Sequence, residues 1–290
     1  MLKVTDNAIT NDSPWFINGS SKARLVNATP NLDETVAYVA RVSSKVQENR
    51  SVEKLLGYCA KQKHWSVFEQ GSVTVEVVTP LAISVQALRH KSFCFQQFSG
   101  RYQDQKIMEE MTQDLPAEFG MFYIPEEARE QDTKNRQNSI FTTDPSLTDF
   151  MWQEMEFAYN AAVKSYNSML DRGIAKEIAR FVLPQGVYTR LYITGNPRSF
   201  IHYCNVRDEV GVVQWEHVEL ASVVKDVFSE VCPIISRSVW EDSLLESSSG
   251  NTWSWLPWSK TSFLKCARAI KSVFSSVCPV IAKSVWNEKE

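Results

Sequence analysis

Two runs of β-branched and aromatic residues set the frame for this chain. Residues 72–78 (SVTVEVV) place Val and Thr in near alternation, and residues 187–194 (VYTRLYIT) add Tyr, Leu and Ile. Such runs read as strands, because successive side chains point to opposite faces of a sheet. Helical patterns surround them. Pro80 suits the first turn of a helix carrying Ile83, Ala87 and Leu88. Residues 149–170 carry an apolar stripe at helical spacing, and a long amphipathic helix is expected over about 212–231. N-cap chemistry at Asn31, Leu32, Asp33 and Glu34 opens a helix through Val36, Val39 and Ala40. Another helix runs through Val52, Leu55, Leu56 and Cys59, and shorter strands are expected at 23–29 and 120–124. The stretch 126–147 is polar and reads as a surface loop or insertion. Strands interspersed with helices exclude a bundle and point to an α/β or α+β fold.

Composition narrows the class. The chain has 290 residues, of which 43% are hydrophobic and 22% charged, which excludes a mainly disordered chain. That length admits two domains, or one domain with decorations. No apolar run approaches the roughly 20 residues that span a bilayer. The first residues, Met1 to Asp6, contain no apolar stretch, so no secretory signal is expected there. The six cysteines form no CxxC pair and sit in apolar segments, so they read as reduced, mostly buried thiols of a cytoplasmic protein rather than zinc ligands. The four histidines are dispersed, and no metal site is expected. A net charge of −3 argues against a generally basic nucleic-acid binder, so an anionic ligand must be held by a local cluster of cations. Neither GxGxxG nor GxxxxGK[ST] occurs, which removes the common dinucleotide and phosphate-loop readings.

The termini differ from the middle. Residues 1–22 are polar and turn-rich and read as a loose arm. Residues 246–250 (ESSSG) form a linker, followed by Trp253, Trp255 and Trp258. Residues 227–240 (VFSEVCPIISRSVW) recur as residues 273–286 (VFSSVCPVIAKSVW), with 10 of 14 positions identical at an offset of 46. One extra copy is too few for a solenoid. The organisation expected is an arm (1–22), a main domain (23–240) and an accessory extension (241–290) that duplicates the last core helical element.

The chemistry concentrates in residues 89–102 (RHKSFCFQQFSGRY). Arg89, Lys91 and Arg101 supply cations, and Gly100 beside Ser99 allows a ligand close to the backbone. By charge alone this segment reads as a solvated basic loop. A second reading interleaves the cations with Phe93, Phe95, Phe98 and Tyr102 as a stacking platform for RNA. Cys94, between two phenylalanines, reads as a neutral buried thiol. Taken singly, Arg180 and Arg207 read as surface or ion-pair arginines, His64 and His202 as structural histidines, His217 beside Glu216 as a surface histidine, and Tyr102 as a packing residue.

Taken together they carry a resemblance. Arg89-His90-Lys91, seven residues, then Ser99 is very similar to the signature of flavin-dependent thymidylate synthases, Arg-His-Arg, seven residues, Ser. Residues 39–43 (VARVS), Gln86, residues 123–125 (YIP), residues 179–184 (ARFVLP), Asn196-Pro197-Arg198 with His202 and Arg207, and Gln214-Trp215-Glu216 follow in the family's order. The resemblance covers roughly residues 23–240. Two positions depart from the family pattern: Lys91 replaces Arg, keeping the charge without the planar fork, and Gln97 stands where many members have Glu.

The resemblance implies a central mixed β-sheet flanked by helices. It implies reductive methylation of dUMP to dTMP, with FAD as cofactor, methylenetetrahydrofolate as carbon donor, NADPH as reductant and no cysteine nucleophile. It assigns Ser99, Gly100, Arg101 and Arg180 to the dUMP phosphate, and Gln86 to the nucleotide. Arg207 would lie against the uracil, stabilising charge that develops on the ring. Arg89, His90, Lys91, Asn196, Arg198 and His202, with Ser43 and Gln97, would bind FAD. It further implies a homotetramer with active sites between subunits.

Overall fold

The computed structural model describes residues 13–45, 51–102, 105–115 and 120–241. The expected linker, the tryptophan cluster, Cys266, Cys278 and the second copy of the repeat lie outside the described residues. The strands are β1 (Phe16–Asn18), β2 (Ser21–Ala28), β3 (Val73–Pro80), β4 (Cys94–Gln97), β5 (Arg129–Gln131), β6 (Ser139–Phe141) and β7 (Tyr188–Gly195). The helices are α1 (Leu32–Ala40), α2 (Val52–Lys61), α3 (Leu81–Ala87), α4 (Gln105–Met111), α5 (Pro145–Asp171), α6 (Lys176–Ala179), α7 (Pro197–Arg207), α8 (Trp215–Val231) and α9 (Pro233–Ser236).

The two strand-forming runs become neighbours. β3 pairs with β7 along its whole length, from Val73 opposite Gly195 to Pro80 opposite Tyr188. The five-stranded sheet has the order β1-β2-β3-β7-β4. The α+β class stands, but the expected mixed sheet is corrected, since every pairing among these strands is antiparallel. β3 and β4 do run the same way, but β7 lies between them and opposes both.

Alternation then decides the two faces. Val73, Val75, Val77, Leu191 and Ile193 point to one side, where they meet Phe200 of α7 and Leu220, Val224 and Phe228 of α8. On α8 the buried positions 217, 220, 221, 224, 227 and 228 fall at helical spacing, so one stripe faces the sheet. Burying a side chain of this size stabilises by about 1.5–3 kcal/mol, and Phe228→Ala would cost about 3–5 kcal/mol with its cavity. At the opposite face, Val78 and Tyr188 join Met121, Phe122 and Tyr159 in a second core, where the Phe122 and Tyr159 rings stack at 4.5 Å. Further along that face the buried Glu76 carboxylate is paired with Arg24 at 2.6 Å and Arg190 at 3.0 Å. A charge at that depth requires such partners.

Local differences from the sequence reading have identifiable causes. The arm does not extend to residue 22. Phe16–Asn18 and Ser21–Ala28 form a hairpin across Gly19 and Ser20, with Gly19 at φ 48°. Glu219 of α8 pins that turn by accepting from Ser20 N at 2.8 Å and Ser20 Oγ at 2.7 Å. Residues 120–124 contribute only a bridge between Phe122 and Val187. The expected surface loop contains the β5–β6 hairpin. α5 starts earlier than its apolar stripe, at Pro145, because Asp144 caps it through Ser146 N. Asp33 does not cap its own helix. Its buried carboxylate accepts from Ile234 N at 2.8 Å and Ile235 N at 3.1 Å, tying α9 to α1.

Candidate active site

Pro80 caps α3 at the end of β3, so the helix leaves the sheet directly and delivers Gln86 in its last turn. The chain then turns through Arg89, His90 and Lys91 before returning as β4 beside β7. Arg89 and Lys91 are exposed, whereas His90 turns inward and is buried. Arg207, in the last turn of α7, donates from Nε to His90 Nε2 at 2.9 Å. An arginine cannot accept a proton here, so His90 Nε2 must be the acceptor and Nδ1 carries the hydrogen. Burial, then the charges of Arg207 and His202, push the His90 imidazole down to about 4, so it is neutral at pH 7. Its ring meets Tyr203 edge-on at 4.8 Å and lies 6.4 Å from exposed His202.

His217 corrects the surface reading. It is fully buried, because it occupies the stripe of α8 that faces the sheet. Its Nε2 lies 3.2 Å from Tyr203 Oη, and its Nδ1 lies 3.2 Å from Gln86 Oε1. Burial first, then Arg207 and His90, push its pKa down to about 3. Gln86 Nε2 donates to Gln214 Oε1 at 2.7 Å, and Gln214 Nε2 donates to Glu216 Oε2 at 3.0 Å. Glu216, itself buried, pairs with Arg129 and accepts from Tyr123 Oη at 3.2 Å. Gln86, His90 and Arg207, drawn from α3, the following turn and α7, therefore meet in one place.

A second group forms where the chain leaves β4. Arg101 pairs with Glu177 of α6 at 2.8 Å, both side chains being exposed, and Lys176 Nζ donates to Tyr102 O at 3.4 Å. These contacts bring the Ser99, Gly100 and Arg101 turn beside the segment that carries Arg180, which starts a short 3₁₀ turn. An exposed pair is worth at most about 1 kcal/mol, so Arg101 can exchange Glu177 for a phosphate at little cost. Tyr102 is 71% exposed, which overturns its reading as a packing residue.

The remaining predicted residues are distributed around these groups. Gln97 points inward and donates to Ser84 Oγ at 3.2 Å and Thr189 Oγ1 at 3.4 Å. Asn196 caps α7, its Oδ1 accepting from Ser199 N at 2.9 Å. Arg198 is exposed and pairs with Glu69, a residue the sequence reading did not single out. Ser43 is exposed in the turn after α1, on a segment separate from both groups. Buried Arg41 donates to Ala37 O and Ser51 O and holds that turn.

Two further expectations change. The stacking platform is not presented, since Phe93 is buried against Phe200 and Tyr203, and Phe95 and Phe98 pack on the cores. Cys94 is exposed rather than buried, at the start of the edge strand β4. Cys59, Cys204 and Cys232 are buried, and burial pushes each thiol up, away from thiolate chemistry.

An antiparallel α+β fold gathers arginine, neutral imidazole and amide groups at the end of α3 and carries a separate Ser-Gly-Arg turn whose Arg101 is exposed, donor sets of the class that suits anionic ligands. The comparisons give that class its family: residues 24–234 match the family described as thymidylate synthase complementing protein, and the chain belongs to it. It is 39% identical over 217 residues to a probable flavin-dependent thymidylate synthase of Paramecium bursaria Chlorella virus 1, covering 74% of this chain and 94% of that one. It is 40% identical over 204 residues to the flavin-dependent thymidylate synthase of Synechocystis sp., covering 70% and 87%. A solved structure of the UMP/dUMP methylase PolB from Streptomyces cacaoi, bound with 5-Br dUMP, matches with a TM-score of 0.63 at 26% identity, covering 77% of this chain and 95% of that one.

Proposed function

We propose that this chain is an enzyme that methylates dUMP to dTMP with a bound flavin. The observation that carries the reading is the Arg207–His90 pair. A guanidinium is held by a buried neutral imidazole, and His217, whose ring lies 6.5 Å from that imidazole, bonds the amide of Gln86. A cation held in that way stabilises negative charge developing on a uracil ring without having to reorganise during the reaction.

The residues present suit an FAD cofactor. Its diphosphate calls for cations and helix-end N–H groups, and Arg89, Lys91, Arg198 and the α7 N-terminus capped by Asn196 offer that chemistry. His90 and His202, with Ser43 and Gln97, would complete the set that holds it. When bound, the flavin supplies the hydride that converts the transferred one-carbon unit to a methyl group. Ser99, Gly100, Arg101 and Arg180 hold the dUMP phosphate, and Gln86 orients the nucleotide. Methylenetetrahydrofolate supplies the carbon, and NADPH supplies the reducing equivalents. The uracil C5 proton is lost as the new bond forms, and no enzyme thiol adds to the ring. The working unit is a homotetramer with subunit-interface sites, in the cytoplasm. Among the described residues no helix is long and apolar enough to cross a membrane.

Titration with FAD tests the reading. Saturating FAD at about 100 times its dissociation constant is expected to add about 2.7 kcal/mol of stability and to leave a visible flavin band on the purified protein. Unchanged flavin fluorescence together with an unchanged melting temperature would refute it.

A further inference from the structure

Gln86, His217, Gln214 and Glu216 form one connected chain of hydrogen bonds, and its direction can be derived. Glu216, paired with Arg129, is a carboxylate and accepts only. Gln214 must therefore turn its Nε2 towards Glu216, at 3.0 Å, which leaves its Oε1 for Gln86. Gln86 must answer with Nε2, at 2.7 Å, so its Oε1 faces His217. An amide oxygen accepts only, so His217 must donate from Nδ1. Its Nε2 is then a bare acceptor and takes the hydroxyl hydrogen of Tyr203, at 3.2 Å. Each orientation follows from the previous one, and all of them follow from the charge on Glu216.

We propose that Glu216 and His217 are positioning residues for nucleotide binding, which lock the Gln86 amide in a single orientation. This rests on the reading that Gln86 contacts dUMP. An unrestrained glutamine can rotate its amide by half a turn and present either an oxygen or an N–H. A nucleotide offers mainly oxygens, on its phosphate and its ring carbonyls. The relay commits one Nε2 hydrogen to Gln214 and one Oε1 lone pair to His217, and keeps the second Nε2 hydrogen on the Nε2 side of the amide for a substrate oxygen. A reversed amide would set Oε1 against that oxygen. His217 is fully buried on α8, so at its end of the relay a wrong orientation of the Gln86 amide has no solvent to satisfy it, whereas Gln214 at the other end is exposed.

The test uses the intact, flavin-loaded protein. Nitrogen-15 NMR of labelled histidine reads the tautomer without substrate: His217 is expected to carry its hydrogen on Nδ1, and an Nε2-protonated His217 would overturn the relay. Asparagine at position 217 places a donor where Nδ1 stood, whereas glutamine places its amide where Nε2 stood. H217N is therefore expected to hold the dUMP KM within about threefold of wild type, with H217Q and E216Q raising it about five- to tenfold at nearly constant kcat. FAD affinity should not move in any of them. In a Q86A background H217Q should have no further effect on KM, because the pair acts as a unit. Equal KM values for H217N and H217Q, KM changes that follow melting temperature alone, or additive effects with Q86A would overturn the positioning role. A wild-type protein that binds FAD but not dUMP would instead sink the proposed function and the role in nucleotide binding with it, while the tautomer still reports on the relay.

Discussion

His217 makes stability depend on pH in a way that can be calculated. In the unfolded chain a histidine titrates near 6.5. In the fold, burial with no carboxylate partner pushes His217 down to about 3. The unfolded chain therefore binds the proton first, and stability is fully present above pH 6.5 and falls as the solution is acidified below it. With those two values, His217 alone removes about 2 kcal/mol between pH 7 and pH 5, where the folded protein still holds it neutral. His90 acts in the same direction, since its value is also lowered, to about 4. Substitution by asparagine removes the titration while keeping a donor towards Gln86. Urea unfolding at pH 7 and pH 5, for wild type and His217→Asn, isolates the contribution, because all other titrations cancel in the difference. The wild type is expected to lose about 2 kcal/mol more than the variant across that interval. Parallel losses in both proteins would refute the assignment of a buried, neutral His217.

Arg180→Ala is expected to weaken dUMP binding by roughly 10- to 100-fold, the worth of a charge-assisted bond to phosphate, whereas Arg207→Ala should lower turnover even at saturating dUMP; steady-state kinetics separates the two. Cys94→Ala should keep activity within about tenfold, since loss of a true nucleophile costs several orders of magnitude; Cys94 is exposed, so the variant also tests the one described cysteine that substrate can reach. Asp33→Ala removes the acceptor for Ile234 N and Ile235 N and should cost about 3 kcal/mol in urea unfolding. A chain ending at Trp240 should still bind FAD and form dTMP, with gel filtration and melting temperature reporting any loss of assembly or stability.

The features legible in the sequence were those with a local signal. β3 and β7 are strongly alternating, and both are where they read. The RHK segment and the Ser-Gly-Arg turn carry their chemistry in consecutive residues. What escaped depends on distant partners. His217 reads as exposed beside Glu216, yet the stripe it shares with Leu220 and Val224 faces the sheet, and Glu216 is itself buried on Arg129. Cys94 reads as buried between two phenylalanines, but those rings pack inward while the residue between them on an edge strand points out. The Gly19-Ser20 dipeptide, with glycine first, is a hairpin signal that the polar character of the first 22 residues obscured. The direction of the sheet could not be read at all, because β7 enters between β3 and β4 only after a long excursion in sequence.

Methylation of dUMP through a flavin can be measured on the protein itself. The direct measurement is dTMP formation from dUMP, methylenetetrahydrofolate and NADPH, run with and without FAD on protein stripped of flavin. dTMP is expected only when FAD is restored, and only when all three substrates are present. Formation of dTMP at the same rate without flavin, or none in a folded protein that has bound both FAD and dUMP, would contradict it.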